Sequence, residues 1–202
     1  MNRAAIGVRM HSGWGALVAV ASNDGIVEIL ARRRVVVTTS ETRGGNQPYH
    51  FAKALELPEA EKFLGDSFVA AKRLVAAALR DVIGKLGGQH TVVGSAVLLA
   101  SGRPLPSLAK ILASHPQIHT AEGEFFRQAF SKACESLDLP VTGLRERGLD
   151  ECVQTAFGEA ATGVRQQIST LGQSLGPPWT TDQKMAALAA LVVLAKQQTD
   201  SR

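Results

Sequence analysis

The stretch HPQIHTAEGEFFRQAF, residues 115–130, gathers groups that can move protons or hold a metal: His115, His119, Glu122, Glu124 and Arg127. His119 and Glu122 are three residues apart, so on a helix they share a face, the minimum for an acid/base pair. With Arg127 or Arg103 orienting an anionic substrate, such a pair would suit a hydrolase. His115 stands outside it in this reading, because Pro116 disfavours helical backbone at the residue before it. Two ligands make a poor metal site, since zinc takes three or four from the protein and no third is visible. No metal and no cofactor is therefore expected. The same residues also make a plain helix start, with Thr120 as N-cap, Glu122 and Glu124 at the positive end of the dipole and Arg127 paired with Glu124. Gly123 does not fit the plain start, because inside a helix it is about 1 kcal/mol less favourable than Ala. It predicts close packing, or a ligand approaching the helix N-terminus.

Other constellations are thinner. Ser12 beside His11 is no triad, because adjacent side chains rarely face each other and no buried acid partner is identifiable. Neither a P-loop nor a GxGxxG motif occurs. Arg32, Arg33 and Arg34 form a basic run on a β-rich segment, which reads either as an edge strand kept soluble or as a surface for nucleic-acid phosphates. Cys134 and Cys152 lie outside any CxxC pattern and fall in helical segments, as reduced thiols of a cytoplasmic, bacterial-type protein would. Trp14 and Trp179 read as core or interface residues in preference to base-stacking ones.

The 202 residues are 45% apolar and 20% charged, with only 5% aromatic, a composition ordinary for a globular chain and against overall disorder. The net charge is +4, and residues 1–90 hold all of the excess, 12 Lys/Arg against 8 Asp/Glu. No membrane segment is expected. The apolar run near the N-terminus is interrupted by His11, Ser12 and glycines, and MAALAALVVLA (185–195) is too short to span a bilayer. That run reads as a buried helix, compatible with a homo-oligomer without requiring one.

Periodicity supplies the elements that must position these residues. AAIGVRM (4–10), WGALVAVAS (14–22) and IVEILARRRVVVTT (26–39) read as a three-stranded antiparallel meander, with Asn23-Asp24-Gly25 as a hairpin turn. After the polar loop 40–48 come a short helix at 49–56 and a long one at 58–86, its apolar face marked by Ala60, Leu64, Phe68, Ala71, Val75, Leu79, Val82 and Leu86. TVVGSAVLLAS (91–101) reads as a strand covered on both faces. Helices at 106–114 and 120–137, a strand at 141–147, a helix from Asp150 to about Leu171 and a last helix at 182–197 complete the order. One domain over 1–202 is expected, with 172–181 a connector to the C-terminal helix.

The order βββ, helices, β, helices, β, helices resembles the ribonuclease H-like fold, an α/β fold with a mixed five-stranded sheet flanked by helices. IGVRMHSGWGALVAV (6–20) resembles a resolvase-type opening hairpin, and TTDQKMAALAALVVLA (180–195) the closing helix of that group. The resemblance implies two-metal nuclease chemistry, which needs acids on the first strand, at the end of the fourth and on the last helix. Here the first-strand position is Arg9, the fourth strand ends at Ser101, Gly102 and Arg103, and the last helix carries only Asp182, followed one turn later by Met185. A lone carboxylate among arginines cannot hold two divalent cations. The resemblance thus implies the fold without cleavage, and places Arg9, His11, Ser12, Arg103, Asp182 and Lys184 around one cationic cleft. Three functions remain open: binding of an anionic small molecule or partner there, a hydrolase using His119 and Glu122, and nucleic-acid binding through Arg32–Arg34.

Overall fold

In the computed structural model, which describes residues 2–39, 41–100 and 104–199, Asp24 and Gly25 take φ of 50° and 79°. Positive φ at both central positions is what a tight hairpin turn demands, and it explains the Asn-Asp-Gly sequence. The turn joins β2 (Trp14–Asn23) to β3 (Ile26–Val36), and Gly13, at φ 80°, serves the turn between β1 (Asn2–His11) and β2. The expected third strand runs to 39, whereas β3 ends at Val36. β4 (His90–Leu99) lies parallel to β1, and β5 (Val141–Arg145) parallel to β4, giving the sheet order β3-β2-β1-β4-β5.

Helices cover both faces. Alternation along β1 sends Ile6, Val8 and Met10 to one side and Ala5 to the other. The first side is packed by α2 (Leu57–Leu86) and α4 (His115–Glu135), whose Phe126 and Phe130 are fully buried. Against them stand the short helices α1 (Pro48–Ala52) and α3 (Leu108–Leu112). The second side is packed by α5 (Leu149–Phe157), α6 (Ala161–Thr170) and α8 (Thr181–Thr199). Ser101, Gly102 and Arg103 fall outside the described residues.

Helix α8 sits unusually close to the sheet. A Cβ on Gly7 would come within 1.9 Å of the Ala186 carbonyl oxygen, so only glycine admits the helix backbone there. Ala186, Ala187, Ala189 and Ala190 are all fully buried, and the helix contacts β1, β2, β4 and α5. A helix apolar all round is one that is covered all round. The connector before it contains one helical turn, α7 (Gly172–Leu175), and is fastened by Arg32, which donates to the carbonyls of Leu175 (2.8 Å), Gly176 (2.9 Å) and Pro178 (2.8 Å).

Two further expectations are corrected. The helix expected to open at Thr120 begins at His115, with Ser114 as N-cap, and the Thr120 hydroxyl donates to the Pro116 carbonyl inside it. Proline is tolerated in a first turn because its missing N–H has no partner there in any case. The helix expected at 150–171 starts at Leu149 after Gly148 and is broken at Gly158, whose φ of 53° no helix accommodates. Among the described residues no helix is long and apolar enough to cross a membrane.

The seating of α8 makes a test. Gly7→Ala is expected to lower unfolding free energy by about 2 kcal/mol or more, as overpacking against backbone does. Gly65→Ala, on the exposed side of α2 where a Cβ meets nothing within 4 Å, is expected to raise it by about 0.5–1 kcal/mol. Urea denaturation of both variants checks the contrast.

Candidate functional site

Arg9 has the same parity on β1 as Ala5 and Gly7, so it faces α8 at the C-terminal end of the strand. Its Nε and Nη2 donate to the two carboxylate oxygens of Glu146 at 3.0 and 2.9 Å, and its Nη1 donates to Asp182 Oδ1. His11, two residues on, pairs through Nε2 with Asp182 Oδ2 at 3.0 Å. The bidentate fork is the strong form of this interaction. Hydrogen bonds donated to Glu146 and Asp182 outweigh partial burial and hold the Arg9 proton more firmly than usual. His11 stacks on Trp14, ring centroids 4.3 Å apart, and the Arg34 guanidinium lies 3.7 Å from the Trp14 centroid.

The cluster corrects the expectation of one lone acid, because Glu146 is a second. It follows β5 immediately, in a 3-10 turn (Glu146–Gly148). Strand register brings it to Arg9: Val8 pairs with Val97, and Leu99 with Arg145, so β1, β4 and β5 end at one edge of the sheet. That an acid directly after a parallel strand must reach this edge was the available signal. Arg9, His11 and Asp182 are brought together as expected from the resemblance. Ser12 and Lys184 lie at the same end by adjacency to His11 and Asp182, and neither gives the cluster a hydrogen bond among the described residues. Arg103 lies outside the described residues, and Arg127 is on α4, across the sheet.

A second cluster forms on that opposite side. His115 and His119, one turn apart at the start of α4, bring their Nε2 atoms to 2.9 Å. His50, from α1, places its ring 5.1 Å from that of His115 and 4.8 Å from that of His119. Glu122 is only 3% exposed, and its Oε1 accepts from the His50 ring Nδ1 at 2.8 Å and from the His50 backbone N–H at 3.2 Å. The expected pairing of His119 with Glu122 is therefore replaced by two others, His50 with Glu122 and His115 with His119. The exclusion of His115 is overturned for the reason given above: α4 begins on it, with Pro116 in the first turn. Nor does Glu122 serve the helix N-terminus, lying two turns in. His50 carried no periodic signal that would tie it to residues 65 and more positions later.

Gly123 is accounted for by Arg127, whose Nη2 would come 3.0 Å from a Cβ there, so the guanidinium folds back over its own helix, its Nε donating to Glu124 at 3.3 Å. Tyr49, next to His50, has its hydroxyl pKa raised, first by burial and then by the Glu122 charge. The three arginines of β3 all have partners: Arg32 the connector carbonyls, Arg33 the carboxylate of Asp81, and Arg34 the Trp14 ring. Cys134 is fully buried and its thiol is pushed up to about 11 by desolvation, which marks it as an inert packing residue.

No protein-family model matches the chain, and no curated protein matches it. Among solved structures it is similar to Thermus thermophilus RuvC in complex with a Holliday junction substrate, with a TM-score of 0.56 at 12% identity, covering 98% of this chain and 97% of that one. It is also similar to a second Thermus thermophilus RuvC structure, with a TM-score of 0.55 at 13% identity over 98% and 96% of the two chains. At that identity the likeness speaks for the fold alone, and with the sheet order β3-β2-β1-β4-β5 it identifies the chain as a protein of the ribonuclease H-like fold.

Proposed function

We propose that this protein binds an anionic ligand or partner at the strand tip and does not cleave phosphodiesters by a two-metal route. The observation that supports this is the Arg9 guanidinium set between the carboxylates of Glu146 and Asp182. Two-metal cleavage needs several carboxylates converging on ions about 3.5–4 Å apart. Here both carboxylates already spend lone pairs on a fixed cation, and His11 takes a further Asp182 oxygen. A divalent ion would have to displace a guanidinium held by three hydrogen bonds, and would then have two acids where the chemistry calls for more. Lys184, half-buried in the first turn of α8, is the cation available to an anion at this end. Because one structural neighbour carries a Holliday junction substrate, a nucleic-acid backbone is the anion of first choice.

Two outcomes are expected. Wild-type protein leaves a four-way junction, a linear duplex and an RNA·DNA hybrid uncut in Mg²⁺ or Mn²⁺, as read on denaturing gels. Arg9→Asp, which turns the tip into three carboxylates, gains Mn²⁺ binding by titration calorimetry beyond any that wild type shows. Metal-dependent cutting by the wild-type chain would contradict the proposal.

Binding is tested by fluorescence anisotropy with a labelled four-way junction. Affinity is expected to fall steeply between about 50 and 200 mM salt, and Lys184→Ala to reduce the salt slope by about 1, as loss of one phosphate contact does. An absence of binding at about 50 mM salt would remove nucleic acid as the ligand.

A further inference from the structure

The corner where α1 meets the start of α4 carries a set of groups that neither the strand tip nor the fold requires. His50, His115 and His119 each bring one ring nitrogen to within 4.8 Å of the other two, and Glu122 stands behind His50. We propose that these three imidazoles form a binding site for a transition-metal ion of the Zn²⁺ class, with Glu122 as the residue that positions His50. The site lies on the α2/α4 side of the sheet, whereas Arg9 faces α8, so the inference does not depend on the function proposed for the strand tip.

Ligand chemistry comes first. Three neutral imidazole nitrogens suit Zn²⁺, Co²⁺, Ni²⁺ or Cu²⁺, while Mg²⁺ and Ca²⁺ demand oxygen donors. A carboxylate only accepts, so the 2.8 Å contact makes His50 Nδ1 the protonated nitrogen and leaves the Nε2 lone pair for a metal. That arrangement, a metal-binding His whose other nitrogen donates to a carboxylate, fixes tautomer and ring orientation together. Glu122 does this from a site where its side chain is 4% exposed. It accepts the His50 backbone N–H as well, so the main chain of α1 and its ring are held by one oxygen.

Geometry comes next. His115 and His119 are spaced i, i+4 on α4, which sets their rings edge to face on one side of the helix, centroids 4.4 Å apart. Their Nε2 atoms, 2.9 Å apart, share one proton between two lone pairs. A metal replaces that shared proton with a bond to each nitrogen, and both rings are exposed enough to exchange tautomers through solvent. With metal–nitrogen bonds of about 2.0–2.1 Å in a tetrahedron, the three nitrogens would stand about 3.4 Å apart. The 2.9 Å pair must open by about 0.5 Å and spacings of up to 4.8 Å must close by up to about 1.4 Å to reach that value, shifts within the reach of side-chain rotation. Three protein ligands leave one position for water, the pattern of an open site and not of a closed structural one.

Titration of the metal-free, full-length chain with Zn²⁺ by calorimetry, and with Co²⁺ by visible absorption, tests this. One ion per chain is expected, with Co²⁺ bands of tetrahedral intensity and no competition from Mg²⁺. Glu122→Gln is expected to weaken Zn²⁺ binding by about 10- to 100-fold, and His50→Ala, His115→Ala and His119→Ala by more. Because His115 and His119 are exposed, their variants stay folded, as circular dichroism without metal will show, even if Glu122→Gln does not. No binding by the wild-type chain, or binding that survives the His115→Ala/His119→Ala double variant, would overturn the proposal. Binding that the double variant abolishes but His50→Ala leaves untouched would overturn it too, since a simple helical His pair would then suffice.

Discussion

The contact between Gly7 and the carbonyl of Ala186 sets the rest of the molecule in place. Without a Cβ at position 7, the backbone of α8 lies directly on the central strand, and the helix start is carried to the end of that strand. Asp182 is then delivered to Arg9 and His11 by geometry that two glycine hydrogens make possible. The polar cluster at the tip is thus a consequence of apolar, small-residue packing one turn and more away. The stripe of buried alanines on α8 is the same constraint seen from the helix.

Charge at the two ends of interest is handled in opposite ways. At the strand tip one guanidinium bridges two acids, and its three hydrogen bonds occupy both oxygens of Glu146 and one of Asp182. At the α1/α4 corner one buried carboxylate serves a single imidazole, and one nitrogen from each of three rings lies within 4.8 Å of the others. The first arrangement already holds a cation, the Arg9 guanidinium; the second presents three imidazole donors. The two clusters lie on opposite sides of the same sheet.

Element order was legible in the sequence because each element carried a strong local signal. The Asn23-Asp24-Gly25 turn, the apolar run of β4 and the spacing of Ala60, Leu64, Ala71 and Val75 each specify one structure with little competition. Helix starts were harder, since Thr120 and Asp150 carry good capping chemistry that the chain does not use, and Pro116 looks like a boundary when it is a tolerated first-turn residue. Long-range partners were not legible: Glu146 reaches Arg9 only through the register of two parallel strands, and His50 reaches His115 and His119 only because α1 docks on α4. Residue type marked the 115–130 stretch as a concentration of His and Glu, yet the pairings within it follow from the burial of Glu122 and the docking of His50 on it, which no spacing rule reports.

The central claim is that Arg9 keeps divalent ions out of the strand tip. Anomalous diffraction from crystals of the wild-type protein soaked in Mn²⁺ tests it most directly. The account predicts no manganese peak within bonding distance of the Glu146 or Asp182 carboxylates, with Arg9 still between them. A pair of peaks about 3.5–4 Å apart at those carboxylates, with the guanidinium swung away, would contradict it.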